Sequence, residues 1–312
     1  MRRKKGRAAL WTSVLLCAAA ILYAVQQGGG LQKDRSQTAG TPPVSETVSA
    51  APATGKSVLK VHFLDVGQGD SEYLELPDGR TMLIDAGNPE NGSDIVSAIK
   101  KSGHNRVDYL IATHPHSDHI GGMEQVIRSL EVGTMYMPRT TAADTPTTAV
   151  YKNLLEAVKD KGLKISTAKA GVTVYSGSGG SAVFVAPNGT GYGDLNQYSG
   201  VLLVTFGKNR FLFTGDAGTV SEKQITADVK ADVLKVGHHG SSTATGTEFL
   251  KRVSPKYAVI EVGKGNIYGL PKQSTLTKLK KIGAAVYRTD QLGTITFTSD
   301  GTGLSVDRKP SA

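Results

Sequence analysis

The chain has 312 residues, 39% of them hydrophobic and 20% charged, with a single cysteine. That balance excludes a wholly disordered or collagen-like chain, and one cysteine excludes both a disulfide framework and a cysteine-built metal knot. The net charge of +9 is uneven: residues 1–57 hold eight Lys/Arg against two acids, so basicity alone is poor ground for a nucleic-acid partner.

In chain order, the first expectation concerns location. Residues 1–7 are a basic cluster, and 8–25 then run without a charge. A bilayer core needs about 20 apolar residues as helix. Residues 1–27 are therefore expected to be a signal-anchor or transmembrane segment, with the basic flank inside and the remainder extracytoplasmic. A cleaved signal peptide and a secreted product is the alternative. The alanines at 18–20 lie inside the apolar run, a poor cleavage position, which favours the anchor. Cys17 is expected within the membrane. Residues 28–57, rich in Gly, Thr, Ser, Pro and Ala, are expected to be a flexible linker. The folded domain is placed at 58–308 and a tail at 309–312.

Within that domain, 58–64 alternates and is β-branched, as a strand does. A two-glycine turn follows, in which Asp65 and Asp70 are expected to shape the backbone. A hairpin is predicted at 71–76 and 81–84, a helix at 93–102 closed by Gly103, and a buried strand at 107–113. Residues 114–119 read as a loop, with helices at 121–130 and 149–161. The second half repeats the grammar. Strands are predicted at 164–167, 172–175, 181–186, 200–206, 209–214, 232–236, 256–261, 284–287 and 293–298. Helices are predicted at 219–227, 246–252 and 273–282. Two β-rich blocks that each close with helices imply two sheets packed face to face with helices outside.

The chemistry concentrates in Thr113-His114-Pro115-His116-Ser117-Asp118-His119-Ile120-Gly121-Gly122. Imidazole and carboxylate together suit zinc and similar divalent ions. His114 and His116, two apart on an extended loop, point the same way. Asp118 and His119 lie on the turn into a helix and can face a second ion. Two ions about 3.5–4 Å apart can share one activated water. Glycines 121 and 122 let the helix backbone pack close to the strand. His62 and His104 are expected to be packed or surface residues without a role.

The H-x-H-x-D-H pattern resembles that of the metallo-β-lactamase-fold hydrolases. The stretches 63–70 (FLDVGQGD), 83–87 (LIDAG), 213–216 (FTGD), 234–241 (LKVGHHGS) and 286–290 (VYRTD) with 293–295 (GTI) resemble the C-terminal hydrolase domain of ComEC-type competence proteins. The resemblance runs from about 58 to 305. It implies an α+β fold, an αββα four-layer sandwich, behind the N-terminal membrane segment and linker. It implies one or two divalent ions, Zn2+ favoured and Mn2+ the other candidate. His114 and His116 would bind the first ion, Asp118, His119 and His239 the second, and Asp216 would bridge both. Asp118 would also orient the attacking water as a catalytic group. His238 would face the substrate as an acid or phosphate contact, and Asp85 would hold a ligand imidazole from behind.

Two departures stand out. Many members place another His before the later Asp, where this chain offers only Asn196 and Ser199. Relatives commonly show Y-G-H-P where this chain has Tyr268-Gly269-Leu270-Pro271. From Lys235 to Arg288 there are ten Lys/Arg against Glu248 and Glu261 alone, a charge balance suited to phosphate-rich ligands or to solvated helix faces. The expected function is a metal-dependent hydrolase acting outside the cytoplasmic membrane, a phosphodiesterase or nuclease-like enzyme with single-stranded DNA as a candidate substrate. The alternatives are a hydrolase of another ester, a lactone or an amide, and a DNA-binding competence accessory protein without turnover.

Overall fold

The computed structural model describes residues 57–311. The expected membrane segment, Cys17 and nearly all of the expected linker lie outside the described residues. In chain order the elements are β1 (Leu59–Phe63), β2 (Glu72–Glu75), β3 (Thr81–Ile84), α1 (Gly92–Lys101), β4 (Arg106–Ile111), α2 (Ser117–Ile120), α3 (Met123–Ser129), β5 (Glu131–Met137), α4 (Ala149–Asp160), β6 (Ile165–Thr167), β7 (Thr173–Gly177), β8 (Gly180–Phe184), β9 (Leu202–Phe206), β10 (Asn209–Phe213), α5 (Thr219–Gln224), β11 (Val233–Lys235), α6 (Thr247–Val253), β12 (Tyr257–Ile260), α7 (Gln273–Lys281), β13 (Ala285–Arg288), α8 (Thr289–Leu292), β14 (Ile295–Ser299) and β15 (Leu304–Val306). Among the described residues no helix is long and apolar enough to cross a membrane.

The strands form two sheets, ordered β15-β14-β1-β2-β3-β4-β5-β6 and β13-β12-β11-β10-β9-β8-β7. Alternation in β1 sends Leu59, Val61 and Phe63 inward, where they meet Phe211 and Phe213 of β10 and Phe297 of β14 between the sheets. On the outer face of the first sheet, Ile95 and Ile99 of α1, Val126 of α3 and Leu154 of α4 form a second apolar layer. On the outer face of the second sheet, Phe249 and Leu250 of α6 and Leu279 of α7 form a third. Helix–sheet–sheet–helix layering follows from that partition, since each sheet carries apolar side chains on both faces.

Two expectations need correction, and two strands were not foreseen. The strands near 164–167 and 293–298 belong to the first sheet rather than the second: Met135 of β5 faces Ile165 of β6, and Val61 of β1 faces Phe297 of β14. The strand β5 was not legible, because only its last three residues are buried and Gly133 interrupts it. There a Cβ would sit 2.5 Å from the Asp108 carbonyl oxygen. The strand β15 is three half-exposed residues, too short to leave a periodic trace.

Candidate metal centre

Within each sheet β3 and β4, and β10, β11 and β12, run parallel. The residues just beyond their carboxyl ends come together: Asp85 after β3, His114–His119 after β4, Asp216 after β10, His238 and His239 after β11, and Glu261 after β12. Glycines make the approach close. A Cβ on Gly122 would collide with the Ala86 carbonyl, and one on Gly121 with the backbone of Asn88 and Pro89. The neighbour these glycines admit is therefore the loop after β3, not the expected strand.

Asp85 is fully buried, at a positive φ of 53°. One carboxylate oxygen accepts from the Thr113 backbone N–H at 2.8 Å, and the other accepts from the Thr113 hydroxyl at 2.6 Å and lies 2.7 Å from His119 Nδ1. His119 is thereby turned so that Nε2 faces forward. His239 is fixed similarly, with Nδ1 3.0 Å from the Glu261 carbonyl oxygen and 3.1 Å from Asp70 Oδ1. In front, His119 Nε2 lies 3.4 Å and His239 Nε2 3.7 Å from Asp216 Oδ1. Asp118 lies 3.4 Å from His239 Nε2 through one oxygen and 4.0 Å from His119 Nε2 through the other. Beside this group His114 Nε2 lies 2.9 Å from His116 Nδ1 and 3.9 Å from Asp216 Oδ2. His238 Nε2 lies 3.5 Å from that same Asp216 oxygen.

The structure thus brings His114, Asp118, His119, Asp216 and His239 into overlapping groups of close ligand atoms, with His116 beside His114 and His238 beside Asp216. His62 and His104 are elsewhere, both against Glu75. Asn196 and Ser199 differ in use. The Ser199 hydroxyl accepts from the Asp216 N–H at 3.1 Å and lies 3.4 Å from His114 Nδ1, so it supports two site residues from behind. Asn196 Oδ1 is buried without a hydrogen-bond partner. Leu270 packs against the apolar layer outside the second sheet, and its backbone N–H and C=O are both held by the Asn266 side chain.

Does this pocket suit a cation? Three of its buried atoms, His119 Nε2, His239 Nε2 and Asp216 Oδ1, have no hydrogen-bond partner. Unpaired buried polar atoms are costly, yet these three converge. The donor set of imidazole nitrogens and carboxylate oxygens is one that divalent ions accept. Burial would lower the pKa values of the two imidazoles, but Asp216 and Asp85 hold His119 well above its ordinary value and Asp216 and Asp70 push His239 up to about 10, so an arriving cation would displace a proton from each. Burial would raise the carboxyl pKa values, but His119 and His239 hold Asp216 well below the usual range and His239 and His119 hold Asp118 there too. Burial and the His119 charge push His114 well below the ordinary imidazole value, leaving it neutral and able to donate its lone pair.

Reading the sequence missed what lies beneath. Asp65 shapes its turn as expected, accepting from the Gly67 N–H at 3.1 Å. Asp70 does more than that. It is fully buried, and Lys235, also fully buried, reaches it at 2.5 Å. Burial acts to raise the Asp70 pKa, and the Lys235 ammonium with His239 and His119 outweighs it, bringing the group to about 2. Burial and then the Asp70 charge push Glu261 up to about 8, while burial and Glu261 raise Glu72 well above the usual range. Those two are therefore protonated at neutral pH, and Lys235 and Asp70 remain as a balanced pair. One cation of the basic stretch is consequently not a surface charge. The available signal was a lysine inside an apolar run, Val233-Leu234-Lys235-Val236.

Comparison with known proteins gives concordant results. The family profile of the metallo-beta-lactamase superfamily matches residues 64–263. The chain is 31% identical over 258 residues to ComE operon protein 3 of Bacillus subtilis, covering 76% of this chain and 33% of that one. It is 28% identical to competence protein ComA of Neisseria gonorrhoeae, covering 82% and 34%. The chain thus spans about a third of the length of these curated relatives. A solved metallo hydrolase of the archaeon Ignicoccus hospitalis superposes with a TM-score of 0.50 at 16% identity, over 77% of this chain and 98% of that one, which attests the fold.

Proposed function

We propose that this chain, a member of the metallo-beta-lactamase superfamily, is a metal-dependent hydrolase of phosphodiester bonds, with single-stranded DNA as its substrate class. The observation that carries the hydrolase reading is the convergence of the partnerless His119 Nε2, His239 Nε2 and Asp216 Oδ1. His114, His116 and Asp216 Oδ2 would hold one ion, and Asp118, His119, His239 and Asp216 Oδ1 the other. Zn2+ suits this set, and Mn2+ is the second choice. A bound pair of divalent ions supplies Lewis acidity, making water acidic near neutral pH and drawing charge from a phosphoryl oxygen.

The chain's own residues do the positioning. Asp118 is ionised and its side chain is 31% exposed, so it faces incoming water and can orient it and accept its proton. Asp216 offers one oxygen to each side of the pocket. Asp85 fixes His119 so that its Nε2 cannot swing away. Support for DNA comes from the names of two relatives, competence protein ComA and recombination protein 2, and from the lysines and arginines between β11 and β13. The N-terminal basic and apolar run supports a domain held outside the cytoplasmic membrane.

The test uses the purified full chain with Zn2+ or Mn2+ and two substrates, single-stranded DNA and bis-(p-nitrophenyl) phosphate. Wild type should cleave both, and Asp118→Ala should lose at least about 100-fold in rate, in keeping with removal of a positioned proton acceptor. Equal cleavage by both proteins removes the hypothesis.

A further inference from the structure

We propose that His238 completes the first cation site, which receives no histidine from the segment before β9. The inference rests on reading the pocket as a metal centre, and it reassigns a residue that the sequence suggested would face the substrate.

The two sides of Asp216 are unequal without it. On the Oδ1 side stand His119, His239 and Asp118, three donors besides the shared carboxylate. On the Oδ2 side stand His114 and, beyond it, His116. The segment before β9 adds no imidazole there. Its Ser199 hydroxyl is occupied by the Asp216 N–H, and Asn196 offers only an amide oxygen, a weak ligand. His238 Nε2 is the other nitrogen beside Asp216 Oδ2, at 3.5 Å. Ligand atoms on a tetrahedral zinc with nitrogen bonds of about 2.1 Å lie roughly 3.4 Å apart. The neighbouring pairs His116–His114, His114–Asp216 and Asp216–His238 lie 2.9, 3.9 and 3.5 Å apart, each within about half an ångström of that value.

The backbone supports the same assignment. His238 and His239 are consecutive left-handed residues, at φ 51° and 50°. Residues with a Cβ adopt that conformation at a cost in backbone strain. Its result is that the two rings diverge, with centroids 6.0 Å apart and planes at 74°. His239 goes to Asp216 Oδ1 and His238 to Oδ2. A single short loop thus serves both sides of one carboxylate. His238 Nδ1 lies 3.1 Å from the Thr243 hydroxyl, which itself lies 3.0 Å from the Ser241 hydroxyl. That partner fixes the ring and leaves the Nε2 lone pair for an ion, as hydroxyl and carboxylate partners do behind metal-bound histidines.

The experiment measures metal rather than turnover. Purified full-length wild type, His238→Gly, His238→Cys and Asn196→Ala are loaded with Co2+, freed of excess ion, and assayed for cobalt per chain and for visible absorption. Glycine tolerates the left-handed backbone, and thermal melts confirm that each variant is folded. Wild type should hold two ions. His238→Gly should hold one. His238→Cys should regain the second and show a thiolate-to-cobalt charge-transfer band. Asn196→Ala should keep both. The proposal is overturned if His238→Gly retains two ions with an unchanged spectrum while only turnover falls, the pattern of a proton donor to the leaving group. It is equally overturned if Asn196→Ala sheds an ion and His238→Gly does not. A wild type that takes up no cobalt removes the metal-centre reading as well.

Discussion

Lys235 shows how one residue can support a site it does not enter, through the Asp70 carboxylate that stands behind His239. Its ammonium is taken fully out of water, which disfavours the charge, and the Asp70 carboxylate at 2.5 Å restores it. Breaking a buried pair from one side costs about 3–5 kcal/mol, because the other charge is stranded, whereas removing both can be neutral. Lys235→Met should therefore lower unfolding stability by about that amount in urea titrations. Lys235→Met combined with Asp70→Asn should recover most of it. A double variant as unstable as the sum of its parts would show that the pair is not the cause. The Asp70 contribution has a defined pH window. Its folded pKa of about 2 lies below the ordinary aspartate value of 3.8, so the stabilisation is present above about pH 4 and is lost as pH falls toward 2.

Helix starts carry the next lesson. The helix α6 opens with Gly246 in place of a capping side chain, and the cap comes instead from α5. Glu222, 4% exposed, accepts from the Thr245 N–H at 2.5 Å and the Gly246 N–H at 2.9 Å. Glu222→Ala should cost about 1–3 kcal/mol, the penalty for leaving buried donors unpaired, and Glu222→Gln, which keeps an acceptor, clearly less. Chemical denaturation of the two variants decides; equal losses would assign the effect to packing. At this scale the sequence was legible where a single period dominated. The alternation of β1, the apolar run of β4 and the amphipathic α4 all lie where their patterns put them, and so does the histidine cluster after β4. What escaped has physical causes. Glu222 and Lys235 act on partners more than twenty and more than one hundred residues away, which no local window contains. The strand β5 is buried over only half its length, so its period is cut short.

Taken whole, the fold depends on the aromatic layer between the sheets. Phe297 of β14 has ring centroids of Phe63, Phe211, Tyr257 and Tyr287 within 5.5–6.4 Å, drawing on both sheets. Phe297→Ala should remove about 3–5 kcal/mol and lower the melting temperature of the whole domain in one cooperative step. A separate early transition confined to one sheet would contradict that coupling. The same strand closes the first sheet by lying against β1, with Leu59 opposite Ser299. A nascent polypeptide stalled anywhere short of β14 would present one flank of its earliest strand bare, an invitation to pair with a neighbour. Protection of that flank against self-association therefore waits until β14 itself has left the ribosome, however long the earlier strands of the first sheet have been complete.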